Sequence, residues 1–184
     1  VIHLKRLFVA VASLAALLMA PTANAQFLGK TVDVDYFFPN LGSLYETHPG
    51  VVVGAGAEII LNGSPFDISD TNLLWSLGNQ SGQSFTLADF NGYVLTDSIN
   101  NLNDIIGVTI NGETNLTGFT ASGISFDADH IWVTFPGGAV LAPDTVVSLD
   151  VTFAPSEVPE PGTLAMLVGV GTSGVALLLR KRRA

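Results

Sequence analysis

Thr31-Val32-Asp33-Val34-Asp35-Tyr36 alternates apolar and polar side chains without a break. Val32, Val34 and Tyr36 fall on one face and Thr31, Asp33 and Asp35 on the other, the period of a strand with one face buried. The pattern returns where Val147, Leu149, Val151 and Phe153 alternate with Ser148, Asp150 and Thr152. It returns again where Ile131, Val133 and Phe135 alternate with His130, Trp132 and Thr134. Shorter apolar runs at 51–53, 57–61, 73–77, 84–87 and 105–110 extend the series. Turn chemistry separates them: Asn62-Gly63, Gly78-Asn79, Asn91-Gly92, Asn111-Gly112 and Pro136-Gly137-Gly138. Asn111-Gly112 is the best hairpin candidate, between 108–110 and 113–116. Helix is expected only as short turns near 87–90 and 98–102. Roughly eight or nine short strands predict an all-β body, an antiparallel β-sandwich of jelly-roll type.

The ends are chemically different from this body. Lys5 and Arg6 precede an apolar run at 7–20, Pro21 breaks it, and Ala23-Asn24-Ala25 follows. Residues 1–25 therefore read as a secretory signal peptide, cut between Ala25 and Gln26. The β-domain is assigned to 26–155 and a proline-rich spacer to 156–162. Residues 163–179 carry no charge. As a helix they span about 25 Å, near the lower limit for a bilayer core. Arg180, Lys181, Arg182 and Arg183 then open a basic cytoplasmic tail, 180–184, in the orientation that the positive-inside rule favours. A transmembrane helix that is later removed and a permanent single-span anchor both remain open at this point.

The closing stretch resembles a known sorting signal. Val158-Pro159-Glu160-Pro161, an apolar run and Arg180-Lys181-Arg182-Arg183 are similar, in order and spacing, to the PEP-CTERM signal of exported Gram-negative bacterial proteins. The resemblance implies recognition by an exosortase, a membrane transpeptidase that cuts near Pro159-Glu160-Pro161. It implies a membrane-anchored intermediate, then transfer to the outer surface or extracellular matrix. It also implies association with extracellular polysaccharide and biofilm.

Composition narrows the function classes. Between Gln26 and Pro155 there are 14 carboxylates against Lys30 alone, a net charge of about −13. Such a body is a poor partner for nucleic acid, which needs Lys and Arg to displace counterions. The absence of cysteine excludes disulfides, thiol catalysis and Cys-ligated zinc. The Gly-x-Ser-x-Gly elbow, the Walker loop and the dinucleotide fingerprint are missing.

Three candidate sites stand beside plainer alternatives. Asp127 and Asp129 point the same way in an extended segment, so both carboxylates are candidate Ca²⁺ ligands, but the sequence identifies no full set of oxygen ligands and a solvated edge or a pair of Asx turns is the plainer reading. Asp33 and Asp35 share that spacing, and 67–70 reads as a turn. His48 and His130 lack a positioned third ligand for zinc. Trp75, Trp132, Tyr36, Tyr45 and Tyr93 are the aromatics to watch for sugar stacking. Trp132 leads them because its alternation puts it opposite the apolar face. The expectation is a non-enzymatic surface or matrix protein. A carbohydrate-binding module is the alternative, and an extracellular glycoside hydrolase comes third.

Overall fold

The computed structural model describes residues 26–61 and 63–155. The expected signal peptide, the PEP motif, the membrane helix and the basic tail lie outside the described residues. Among the described residues no helix is long and apolar enough to cross a membrane.

Among the described residues ten strands run in order: β1 Thr31–Phe37, β2 Leu44–Val52, β3 Ile59–Leu61, β4 Ser64–Ile68, β5 Asn72–Ser76, β6 Gly92–Thr96, β7 Ile105–Ile110, β8 Ile124–Phe126, β9 His130–Thr134 and β10 Val146–Phe153. They form two five-stranded antiparallel sheets, β2-β1-β6-β9-β8 and β3-β4-β5-β10-β7. Both inner faces supply one hydrophobic core, as the alternating stretches predict. β1 buries Val32, Val34 and Tyr36; β9 buries Ile131 and Val133; β10 buries Val147, Leu149, Val151 and Phe153. Trp75 of β5 joins the layers: its ring stacks on Phe66 at 4.4 Å and lies 6.1 Å from both Tyr93 and Phe135.

β6 is the centre of its sheet and breaks the alternation, because Gly92, Tyr93, Val94 and Leu95 are all buried. Gly92 is required there by space. A Cβ at this position would lie 1.8 Å from the Val133 carbonyl oxygen of the neighbouring strand.

Four local expectations are corrected. No helix forms at 87–90 or 98–102; the helical pieces among the described residues are 3₁₀ turns at Leu77–Gln80 and Ala121–Gly123. At 98–102 the buried Asp97 carboxylate takes the backbone N–H groups of Asn101 and Leu102, which folds the segment into a turn. Residues 84–87 make a single bridge, Ser84 to Val140, instead of a strand. Asp67 and Ile68, read as a turn, finish β4. Asn111-Gly112 does turn, with Thr114 N–H donating to the Asn111 carbonyl, but the following residues do not return along β7. They continue beside β10, where Thr114 Oγ1 and Asn115 Oδ1 accept the N–H groups of Ser148 and Val146.

Candidate functional site

A concave cleft of about 210 Å³ opens where β1, β2 and the 80–91 segment meet. Its polar wall holds Gln80, Gln83, Ser84, Thr86 and Asn91; its apolar floor is Phe38, Phe85 and Leu141. Tyr36 and Tyr45 complete the lining. Tyr36 pairs with Glu46 and Phe37 with Leu44, so Tyr45 is the extra residue of a register shift, and its ring meets Tyr36 edge to face at 5.5 Å. Tyr36 is buried in the core, while Tyr45, on the edge strand, is 67% exposed.

A buried network fixes the back of the cleft. The Tyr36 hydroxyl donates to Asn91 Oδ1, and Asn91 Nδ2 donates to the Thr86 carbonyl at 2.8 Å. The Asn91 N–H donates to Thr134 Oγ1. Asn91 thus ties the 86–91 segment to β1 and β9. Tyr93 packs against Tyr36 at 4.8 Å. Burial, with smaller contributions from Tyr45 and Glu46, pushes the Tyr36 phenol up; burial, then Tyr36 and Glu46, pushes Tyr93 far up.

Both phenols therefore titrate higher when folded than when unfolded. The stability this represents is complete below about pH 10 and is lost as pH rises further. Thermal melts should be flat up to about pH 9–10 and fall steeply above it, with Tyr93→Phe falling less. A melting temperature constant to about pH 11 would contradict this assignment.

Of the other sequence-predicted residues among those described, Trp75 lies on β5 of the second sheet and the rest lie on strands or turns of the first. Asp127 and Asp129 lie on the turn between β8 and β9. Asp127 Oδ1 accepts the N–H groups of Asp129 and His130, at 2.9 and 2.8 Å, and the His130 ring nitrogen Nδ1 lies 2.9 Å from it. Slight desolvation pushes the Asp127 carboxyl up, but the Asp129 N–H and then the His130 contacts outweigh it, and the net shift is downward. His48 pairs with Glu46 at 2.7 Å on β2. β1 and β6 separate it from His130, so the two histidines do not share a site. Asp33 Oδ1 accepts the Gly50 N–H, and Asp35 Oδ1 is buried without a hydrogen-bond partner. Among the described residues no three potential metal-ligating side chains gather.

Trp132 is on the outer face, as its alternation predicts, and is half-buried. The His130 ring stacks on it at 5.1 Å and 19°, covering one of its faces. It borders a groove of about 320 Å³ with Leu41, Phe90 and Ile124. Trp75 and Tyr93 are core residues. Of the five aromatics singled out from sequence, the cleft takes Tyr36 and Tyr45. Its amide and hydroxyl side chains escaped the sequence reading, because Gly78-Asn79 and Asn91-Gly92 read as turns and 84–87 as a strand.

Residues 157–183 match the family described as the PEP-CTERM protein-sorting motif. No curated protein and no solved structure matches the chain significantly. The chain therefore carries a PEP-CTERM sorting motif, and that motif implies a protein that is exported, processed by an exosortase and sorted to the cell surface.

Proposed function

We propose that this chain is a non-enzymatic component of the extracellular polysaccharide matrix. The motif at 157–183 carries the reading, because it is a delivery signal to the surface where such a matrix is built. In this account residues 163–179 hold the exported chain in the membrane, Arg180–Arg183 set the side on which it stops, and cleavage near Pro159-Glu160-Pro161 frees the body. Two antiparallel sheets around one core support a β-sandwich, jelly-roll-like, as the exported cargo. A body of about −13 repels anionic chains. Its attachment is to neutral sugar, or to anionic sugar through Ca²⁺ bridges in which Asp127 and Asp129 take part.

A carbohydrate-binding module is the second reading, favoured by Tyr45 and Trp132 on the surface. Fractionation of the matrix tests the proposal. The chain should co-purify with extracellular polysaccharide from cells that have an exosortase. Recovery wholly in the free medium contradicts the matrix role, and turnover of the polysaccharide by the purified chain contradicts the non-enzymatic one.

A further inference from the structure

We propose that the cleft beside Tyr45 is a binding site for one unit of a neutral saccharide. The inference rests on the matrix reading above and gives it a site. Three observations at the cleft carry it.

The first is the aromatic at the mouth. Tyr45 is 67% exposed although it is a large ring on a strand. Its contact with Tyr36, edge to face at 5.5 Å and 89°, fixes its place. An aromatic face of this kind packs against the C–H face of a sugar ring, and its hydroxyl remains available for a hydrogen bond.

The second is the polar wall. Gln83, Ser84 and Thr86 are exposed around the opening, with Gln80 half-buried beside them. Amides and hydroxyls both donate and accept, so they match the paired donor and acceptor capacity of vicinal sugar hydroxyls. No ionised side chain lines the cleft. Glu46, whose charge Tyr36 and Tyr93 sense, is engaged with His48 at 2.7 Å. A lining of this composition selects an uncharged ligand, because an anion would find no compensating cation.

The third is preorganisation. The Tyr36–Asn91–Thr86 network sits behind the wall and ties it to β1 and β9. The site is therefore formed before the ligand arrives, which lowers the ordering cost of binding. Its volume, about 210 Å³, is below the roughly 300–1,000 Å³ of pockets for drug-sized ligands, so it takes one ring of a longer chain.

The groove at Trp132 is not part of this site. His130 covers one indole face, and the rest of the lining sets Leu41, Phe90 and Ile124 beside Ser122, Ser125 and Thr134, with no side-chain amide.

The test is titration of the full chain, purified in a zwitterionic detergent without a sugar headgroup. The probes are neutral tetrasaccharides of glucose, galactose, mannose and N-acetylglucosamine, followed by calorimetry. At least one should bind saturably with a Kd below about 10 mM. That binding should be insensitive to salt and to chelator. Tyr45→Ala should weaken it at least about tenfold and Gln83→Ala about threefold. Tyr45 is on an exposed edge, so the melting temperature of Tyr45→Ala should stay near that of the parent, and Trp132→Ala should bind as the parent does. No saturable binding by any of the four overturns the proposal. So does binding that survives Tyr45→Ala, or binding lost in Trp132→Ala instead. Matrix fractionation reads the broader role separately: a chain that stays with the matrix but binds no tetrasaccharide sinks the cleft alone.

Discussion

Trp75→Ala is expected to destabilise the β-domain by about 3–5 kcal/mol. Trp75 is 2% exposed, stacks on Phe66 within its own sheet and reaches Tyr93 and Phe135 across the core. Its removal leaves a cavity between two sheets that relax only partly toward each other. Total stabilities of single domains are about 5–15 kcal/mol, and this chain has no disulfide to supplement its core. The loss corresponds to a fall in melting temperature of roughly 10–25 °C. The indole N–H is buried without a hydrogen-bond partner, so Trp75→Phe keeps most of the packing and relieves an unmet donor. It should cost much less than the alanine variant. Denaturant unfolding is the measurement: the midpoint should drop with the slope unchanged. A loss below about 1 kcal/mol for Trp75→Ala would mean that the two sheets do not share this core.

The strands visible in the sequence were those with one wet face. β1, β9 and β10 alternate because each has a solvated outer side, and Val32, Val133 and Leu149 could be assigned inward from pattern alone. β6 could not, because the centre of a sheet is buried on both sides at Tyr93 and Val94 and leaves no period of two. β4 was hidden by Pro65 and Asp67, residues that signal turns in isolation. β2 carries Pro49 and a register shift opposite β1 between Val32 and Val34, so its alternation is broken along most of its length. The cleft was less legible still. Tyr36 and Tyr45 are close in sequence, but Gln83, Thr86 and Asn91 reach them only through the pairing of β1 with β6. Side-chain chemistry was readable there, and juxtaposition was not.

Replacing Pro159, Glu160 and Pro161 together with alanine is expected to abolish processing and surface delivery while leaving the β-domain folded. The motif spans residues 157–183, whereas the compact unit that holds all ten strands ends at Ala154. Sorting and folding thus depend on separate parts of the chain. The chain with its C-terminal segment uncut should accumulate in the cytoplasmic membrane, as the proposed anchor at 163–179 requires, with the exported domain retaining the parent's melting behaviour. Membrane fractionation with an antibody against the β-domain reads the outcome. Undiminished delivery of the triple variant to the surface would mean that the Pro159-Glu160-Pro161 element is not what the sorting enzyme recognises. Loss of the domain's fold in the same variant would contradict the separation of the two parts.

The motif at 157–183 implies that this chain is a processed cargo. Mass spectrometry of the protein recovered from the cell surface tests it most directly. The mature chain should begin at Gln26 and end near Pro159-Glu160-Pro161, without the apolar run or the basic residues after it. Surface protein that still carries the intact Arg180–Ala184 tail would contradict it and make the segment a permanent anchor.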